Sequence, residues 1–142
     1  SECLVGSEMC IRDRMQTLNS AHFKSAFDFA NFVQCGEDTA KCWDALRPYI
    51  VYIHIKDAVS TDKENVLCGT GEGKIPELLH KAIVEEGYTG FLTLEPHLVL
   101  FDSLQSLETT DAKNIIRENK YKNGAEGYAA QYHALCDILA KF

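Results

Sequence analysis

The run from Ile50 to Asp57, IVYIHIKD, constrains the fold of this chain more than any other segment. It is rich in β-branched residues and follows Pro48, a combination that is typical of a buried parallel strand. Side chains alternate along a strand, so the run should have an apolar face and a polar face. The apolar face comprises Val51, Ile53 and Ile55, and the polar face comprises Tyr52, His54 and Lys56. Because α/β folds place their sites at the carboxyl ends of strands, His54 marks a candidate functional site.

Two further segments have strand character, Phe23–Asp28 and Gly90–Glu95. Apolar residues at helical spacing follow each of the three strands: in a helix that begins at Asp38 or Thr39, in Pro76–Gly87 and in Ala125–Phe142. The last of these helices has the apolar stripe Tyr128, Tyr132, Leu135, Ile138 and Leu139. Loops are expected at Phe29–Gly36, Ala58–Lys74 and, with short helical turns, His97–Lys122. Three consecutive strand–loop–helix units predict an α/β fold with a parallel sheet and right-handed crossovers.

Composition limits the class of protein. With 142 residues, of which 46% are hydrophobic, the chain is long enough to bury a single-domain core. Its formal net charge of −7 disfavours nucleic acid as a partner, since nucleic-acid binding favours a basic surface. No apolar run approaches the roughly 20 residues of a membrane-spanning helix, so a membrane is not an expected partner either. The six cysteines form no CxxC pair, which favours reduced thiols and a cytoplasmic location.

A ligand-type side chain stands at the carboxyl end of each predicted strand: Asp28, His54 and Glu95. Taken singly, a strand histidine is more often a core residue, and a terminal carboxylate is usually a helix cap. Neighbouring parallel strands lie about 4.8 Å apart, however, so three such groups at equivalent ends can reach one ion. Carboxylate oxygens with an imidazole nitrogen suit Mn²⁺, Mg²⁺, Co²⁺ or Zn²⁺. The sequence therefore predicts a divalent-metal site formed by all three residues.

The residues beside these ligands leave two interpretations open. Asp57 and Asn31 could orient the histidine ligand or contact substrate, or they could cap the loops that follow. The glycine-rich segment Gly69–Lys74 lacks the Ser or Thr of a phosphate-binding P-loop, because Ile75 stands at that position. A tight turn near the site is expected instead, in which Glu72 or the backbone amides contact the ligand.

Residues 1–14, SECLVGSEMCIRDR, show neither helical nor strand periodicity and lack the apolar core of a signal peptide. Within them, Leu4–Asp13 resembles the conceptual translation of a transposon-based sequencing adapter over ten consecutive codons. We therefore expect residues 1–14 to be non-native and residues 15–142 to be the C-terminal part of a longer natural protein.

Four motifs follow one another along the chain: Phe27–Phe32 (FDFANF), His54–Asp57 (HIKD), Gly69–Ile75 (GTGEGKI) and Leu94–His97 (LEPH). Together they resemble the C-terminal part of the sugar phosphate isomerase/epimerase family, which belongs to the xylose-isomerase-like TIM barrels. The resemblance covers residues 15–142. It implies that the chain forms the last three βα units, strands six to eight, of a (β/α)8 barrel that is incomplete here.

The resemblance also implies a reaction. A divalent-metal-dependent enzyme of this kind isomerises or epimerises a sugar or sugar phosphate by removing the proton next to a carbonyl, through an enediolate. The implied site consists of the metal ligands Asp28, His54 and Glu95, the last also catalytic, the substrate contacts Asn31, Lys56 and His97, and Asp57 behind the ligands.

The family's fourth ligand, a glutamate on the preceding strand, has no counterpart in this chain, so the chain is expected to be inactive by itself. Some relatives also carry histidine at the position of Asn31. The expected partner is a small-molecule sugar, and the full-length protein could form a homo-oligomer. Three alternatives stay open. They are a dehydratase of the keto-inositol or dehydroshikimate type, an endonuclease-IV-like phosphodiesterase with further His ligands and a DNA-binding surface, and a non-catalytic sugar-binding barrel.

Overall fold

The computed structural model describes residues 8–99 and 121–142. The helices are α1 (Glu8–Leu18), α2 (Phe29–Gln34), α3 (Thr39–Leu46), α4 (Ile75–His80) and α5 (Gly124–Leu139). The strands are β1 (Ser25–Asp28), β2 (Ile50–Ile55), β3 (Asp57–Ala58), β4 (Asn65–Val66) and β5 (Phe91–Leu94). A 3₁₀ turn, Arg47–Tyr49, precedes β2, and a π-helical turn, Lys81–Glu85, extends α4.

Strands β1, β2 and β5 form one parallel sheet with β2 in the centre. The register pairs Asp28 with His54 across β1 and β2, and His54 with Thr93 across β2 and β5. All three strands therefore end at the same edge of the sheet. This arrangement confirms the parallel sheet that the three strand–loop–helix units predicted.

An aromatic cluster lies under the apolar face of the sheet. Phe27 of β1 is fully buried, and its ring centroid lies 5.1 Å from that of Phe29, 5.0 Å from that of Phe32 and 5.1 Å from that of Trp43. The contacts with Phe29 and Trp43 are edge-to-face, and such contacts add to the free energy gained by burying apolar area. The first strand is thus anchored to the helices that follow it.

The central strand follows the predicted alternation with one exception. Ile53 and Ile55 are fully buried in the same core as the aromatic cluster, whereas Val51 is 50% exposed. The prediction of an apolar face covered by helices is therefore correct from Ile53 onward and wrong at Val51. The register shifts at this point, where Ser25 pairs with Ile50 and Ala26 with Tyr52, and Ile50 is buried in the core in place of Val51.

Helix α2 replaces the loop predicted for Phe29–Gly36. Asp28 leaves β1 in an extended conformation, and its Oδ1 accepts a hydrogen bond from the Asn31 amide at 3.0 Å, which caps the helix. Four apolar residues at helical spacing are buried: Phe29, Ala30, Phe32 and Val33. The loop prediction was wrong because burial of this apolar face and the aspartate cap together stabilise a short helix of six residues.

The segment after β2 is more regular than predicted. Strands β3 and β4 pair antiparallel, with Asp57 opposite Val66, so part of the predicted loop Ala58–Lys74 forms a short hairpin. The central strand also ends at Ile55 and not at Asp57. It ends there because the chain leaves the parallel sheet to form this second pairing.

Helix α5 coincides closely with the predicted helix Ala125–Phe142, and Leu135 and Ile138 of the predicted stripe are buried as expected. Tyr128 and Tyr132 of the predicted apolar stripe are 50% and 54% exposed. The buried residues are Gly127, Gln131, Leu135 and Ile138. The stripe is rotated because tyrosine tolerates partial exposure, whereas Gln131 finds hydrogen-bond partners in the interior.

Helix α1 includes residues 8–14, for which the sequence showed no helical period. Ile11 packs against the core, and Met15 is buried. The helix ends at Leu18, and Asn19 follows with a left-handed φ of 38°. Residues 8–14 are therefore helical, although the sequence shows no helical period there.

The cysteines differ in state. Cys35 is disulfide-bonded, so the prediction of reduced thiols is wrong at that residue. Cys68 and Cys136 are free thiols. Burial, reinforced by the nearby charge of Asp57, raises the pKa of Cys68 to about 12. Because the thiolate is the reactive form, Cys68 is a packing residue and not a nucleophile.

Residues 100–120 of the predicted loop His97–Lys122 lie outside the described residues. At the two ends of that segment, Val99 and Tyr121 form a parallel bridge, which brings the chain after β5 beside the start of α5. Among the helices that the structure describes, none is long and apolar enough to cross a membrane.

Replacing Phe27 with alanine is expected to lower the free energy of unfolding by about 3–5 kcal/mol, because it removes a fully buried ring. Phe23, 49% exposed and just before the same strand, is the matched control. Phe23→Ala should change the free energy of unfolding by about 0.5 kcal/mol or less. Urea denaturation followed by Trp43 fluorescence measures both, and equal losses in the two variants would contradict the packing described.

Candidate metal centre

The carboxyl edge of the parallel sheet carries Asp28, His54 and Glu95. Asp28 is the last residue of β1, His54 is its register partner in β2, and Glu95 follows the last residue of β5. The Glu95 amide donates to the Ile55 carbonyl at 3.2 Å, which continues the strand ladder by one residue. Alternation along each strand turns these three side chains away from the apolar core.

The three side chains converge. One ligand atom from each of Asp28, His54 and Glu95 lies within 4.8 Å of the others. His54 Nδ1 is 3.5 Å from Asp28 Oδ2 and 3.2 Å from Glu95 Oε2. The structure therefore brings together the three residues that the sequence singled out, and we call them the ligand cluster. Their role as metal ligands stays a prediction.

Lys56 enters the ligand cluster as well. Its Nζ lies 3.0 Å from Asp28 Oδ2 and 3.3 Å from Glu95 Oε2, and the residue is 8% exposed. The ammonium group thus lies between two carboxylates that would otherwise repel each other. The sequence placed Lys56 among the substrate contacts on the polar face of the strand. Its contact with both acidic ligands follows from the sheet register, which the sequence alone did not define.

His97 contacts the other oxygen of Glu95. Its Nε2 lies 3.2 Å from Glu95 Oε1, and its backbone has a left-handed φ of 47° directly after Pro96. Burial alone would raise the pKa of Glu95, but the hydrogen bond with His97 and the charge of Lys56 outweigh burial and lower this pKa. Glu95 is therefore ionised at neutral pH, as a metal ligand must be.

Asp28 offers an oxygen suited to a cation. Its Oδ1 accepts the hydrogen bond from Asn31, whereas its Oδ2 is buried and accepts none. Lys56 is close to Oδ2 but outside hydrogen-bond geometry. A buried carboxylate oxygen without a hydrogen bond is unfavourable unless a cation compensates it. With one imidazole nitrogen and the Glu95 oxygen, this oxygen completes a donor set that fits Mn²⁺, Mg²⁺, Co²⁺ or Zn²⁺.

Asp57 is fully buried and holds the glycine-rich loop in place. Its Oδ1 accepts hydrogen bonds from the amides of Ala58 and Gly73, both at 2.9 Å, and its Oδ2 accepts from Gly69 at 2.9 Å and Gly71 at 3.0 Å. Burial raises the pKa of Asp57, and these four hydrogen bonds oppose the rise. Of the two interpretations left open by the sequence, ordering of the following loop is the one that these contacts support.

The remaining predicted residues lie around the cluster in different ways. Asn31 lies in the first turn of α2, directly beside Asp28. Glu72 accepts a hydrogen bond from the Ser60 amide at 3.1 Å, so its carboxylate joins two parts of the loop. The loop amides that the sequence suggested for ligand binding donate to Asp57 instead.

Sequence reasoning missed one polar residue near the cluster. Gln131 of α5 is fully buried and donates from Nε2 to the Ile55 carbonyl at 3.0 Å. The sequence did contain a signal for it, because Gln131 is spaced from Leu135 and Ile138 so as to lie on the same face of a helix, and that face is otherwise apolar. A polar side chain in such a position needs hydrogen-bond partners inside the protein.

The chain has the fold of part of a xylose-isomerase-like TIM barrel. Its sequence matches no protein-family model and no curated protein. Among solved structures it is similar to the crystal structure of a xylose isomerase domain protein from Planctomyces limnophilus, with a TM-score of 0.64 and 20% sequence identity. The match covers 96% of this chain and 42% of that chain, so the chain spans less than half of that protein. The predicted fold class, an incomplete TIM barrel, is thereby confirmed.

Replacing Lys56 with methionine is expected to tighten Mn²⁺ binding at least about tenfold, or roughly 1.4 kcal/mol. The reason is that the ammonium group competes with an ion for oxygens of Asp28 and Glu95. Asp28→Asn should weaken binding, since it removes an anionic ligand. Electron paramagnetic resonance of free Mn²⁺ during titration gives each dissociation constant. Weaker binding by Lys56→Met would show that the lysine supports the ion and does not compete with it.

A second prediction concerns the close approach of the glycine-rich loop to Asp57. A Cβ at Gly73 would lie 2.7 Å from Asp57 Oδ1 and 3.0 Å from Phe29 Cβ, so Gly73→Ala should lower the free energy of unfolding by about 1–3 kcal/mol. Gly124, at the start of α5, is the control because nothing lies within 4 Å of an added Cβ there. Gly124→Ala should be neutral or stabilising. Urea denaturation measures both, and similar losses would argue against steric exclusion at residue 73.

Proposed function

We propose that this chain is part of a divalent-metal-dependent enzyme that isomerises or epimerises a sugar or sugar phosphate. The observation that carries the proposal is the convergence of Asp28, His54 and Glu95 at the ends of three adjacent parallel strands. The fold likeness supports it, because the similar solved structure is that of a xylose isomerase domain protein. Active sites of TIM barrels form at this carboxyl-terminal face of the strands.

Asp28, His54 and Glu95 would hold a divalent ion, which would supply a Lewis acid for the carbonyl oxygen of the substrate. Glu95 is the proposed base. Its carboxylate takes the proton from the carbon next to the carbonyl, and the electron pair of that C–H bond moves toward the carbonyl oxygen, which gives an enediolate. Return of a proton to the former carbonyl carbon, together with transfer of the hydroxyl proton from its own oxygen to the former carbonyl oxygen, isomerises the sugar. Return of a proton to the carbon that lost it, from the opposite side, epimerises the sugar.

Lys56 and His97 are suited to assist this proton removal. The Lys56 ammonium lies within the cluster, where a positive charge stabilises the negative charge that develops on the substrate oxygen. His97 contacts Oε1 of Glu95, while Oε2 faces His54. The two oxygens of the base thus have different neighbours, which fixes the plane of the carboxylate. Asn31, in the first turn of α2, is proposed to contact substrate hydroxyls.

We propose that residues 15–142 are the C-terminal part of a longer barrel and that residues 1–14 are a non-native segment. Within the described ranges 8–99 and 121–142, no strand pairs with the outer edges of β1 and β5, with which further strands of a closed barrel would pair. The family resemblance implies a glutamate on the strand before β1 as fourth ligand and second acid/base. We expect the full-length protein to act in the cytoplasm on a small-molecule sugar. We also propose that it can form a homo-oligomer, which light scattering would detect.

In the full-length protein, Glu95→Gln is expected to slow metal-dependent exchange of a substrate C–H proton with solvent deuterium by about 10²–10⁴-fold, because general bases contribute factors of this size. Proton NMR of a panel of sugars and sugar phosphates in D₂O with Mn²⁺ measures the exchange. Glu77→Gln is the matched control, since Glu77 is an exposed glutamate of α4. The Glu77→Gln variant should exchange the substrate proton at the wild-type rate.

Each outcome of this experiment has a distinct meaning. Wild-type exchange by Glu95→Gln would contradict the role of Glu95 as the base. A product that has lost water, formed in place of an isomer, would identify a dehydratase that uses the same first step. Absence of exchange with every sugar in the presence of Mn²⁺ would contradict the proposed function.

A further inference from the structure

Gln131 joins three parts of the fold through one side chain. It lies on α5 and is fully buried. Its Nε2 donates to the Ile55 carbonyl at 3.0 Å, and its Oε1 accepts from the Cys68 amide at 3.1 Å. The last helix is thus connected both to the end of the central strand and to the residue before the glycine-rich loop.

The Ile55 carbonyl is shared between Gln131 and a candidate metal ligand. It accepts one hydrogen bond from Gln131 and another from the Glu95 amide at 3.2 Å. Ile55 lies between His54 and Lys56, whose side chains both belong to the site. The position of the Ile55 carbonyl is therefore linked to the backbone of both neighbours and, through a hydrogen bond, to that of Glu95.

The acceptor side of Gln131 reaches the loop that Asp57 orders. Cys68 donates to Gln131, and the next residue, Gly69, donates to Asp57 Oδ2 at 2.9 Å. The end of the central strand and the start of the glycine-rich loop are thus tied together at two points, by Gln131 and by Asp57. Both ties are buried, where a hydrogen bond is stronger than at the surface.

Only an amide side chain of this length meets both requirements. Glutamate would keep the acceptor for Cys68 but lose the donor for Ile55, and methionine would fill a similar volume with neither. An unpaired buried amide costs about 1–3 kcal/mol, so a glutamine on this face is favourable only because both partners are present.

We propose that Gln131 is a positioning residue of the metal centre, which fixes the Ile55 peptide and thereby the directions from which His54 and Glu95 approach an ion. The inference rests on the proposed function and adds to it a residue of the C-terminal helix. Groups that orient metal ligands typically change metal affinity 10–100-fold when they are removed. Gln131 acts through one intervening peptide, so a loss of about tenfold, at the lower end of that range, is expected.

The test compares Gln131→Glu and Gln131→Met with Leu135→Ala in the full-length protein, which would carry the proposed fourth ligand. Leu135 is buried on the same face of α5 and packs in the core, so its truncation lowers stability without removing a side-chain hydrogen bond. Mn²⁺ dissociation constants from electron paramagnetic resonance report affinity. Visible absorption spectra at saturating Co²⁺ report coordination geometry. Both are measured at a temperature at which circular dichroism shows every variant to be folded.

Both Gln131 variants are expected to bind Mn²⁺ about tenfold more weakly than wild type and to change the Co²⁺ spectrum, whereas Leu135→Ala keeps both wild-type values. Wild-type affinity and spectrum in the Gln131 variants would overturn the positioning role. An equal change in Leu135→Ala would overturn it too, since the effect would then follow from stability. Failure of the wild-type full-length protein to bind either metal would overturn the proposed metal centre itself, and is thereby distinguished from failure of this inference alone.

Discussion

Parallel pairing of β1, β2 and β5 is the constraint on which the candidate site depends, because it aligns three strand ends at one edge. A slip of one residue in any of these strands would turn its ligand-type side chain toward the core and an apolar one toward solvent. The aromatic cluster around Phe27 and the buried Ile53 oppose such a slip. The pairing brings the carboxylates of Asp28 and Glu95 close together, and Lys56 between them compensates their repulsion. Packing of the core therefore fixes the strand register that aligns the residues of the site.

The glycine-rich loop has converging backbone amides, as an anion-binding loop does, but its anion belongs to the protein. The amides of Gly69, Gly71 and Gly73 all donate to the fully buried carboxylate of Asp57. A substrate phosphate could reach these amides only by displacing that carboxylate. If the substrate is phosphorylated, other groups must bind its phosphate. These hydrogen bonds therefore order the glycine-rich loop, and they leave its amides occupied and not available to bind a phosphate.

Strand alternation and ligand-type residues at strand ends are enough to predict the parallel sheet and the convergence of the ligand cluster, because both follow from local pattern and a common edge. Helix α2 is not predictable in this way. It has only six residues, which is too short for a helical period to be recognised in the sequence. Its N-cap, Asp28, was also a candidate metal ligand, so the sequence did not identify this residue as a helix cap. Gln131 is harder still, because its partners Ile55 and Cys68 lie 76 and 63 residues away along the chain. Partners so distant leave no local pattern, so Gln131 was not predicted on the buried face of α5, and Tyr128 and Tyr132 were expected there instead.

The charges of the cluster give Lys56 two opposite effects. Asp28 and Glu95 contribute two negative charges and Lys56 one positive charge, so these three residues together carry one net negative charge. The lysine thus weakens the attraction of the cluster for a divalent ion, and we expect the lysine and an ion to compete for the same oxygens. In the proposed reaction, the positive charge of Lys56 would also stabilise the oxyanion that forms when the C–H proton leaves a bound sugar. Interactions that are stronger with the charged intermediate than with the substrate are those that accelerate a reaction. A cluster without the lysine would therefore hold its metal more tightly and remove the proton more slowly.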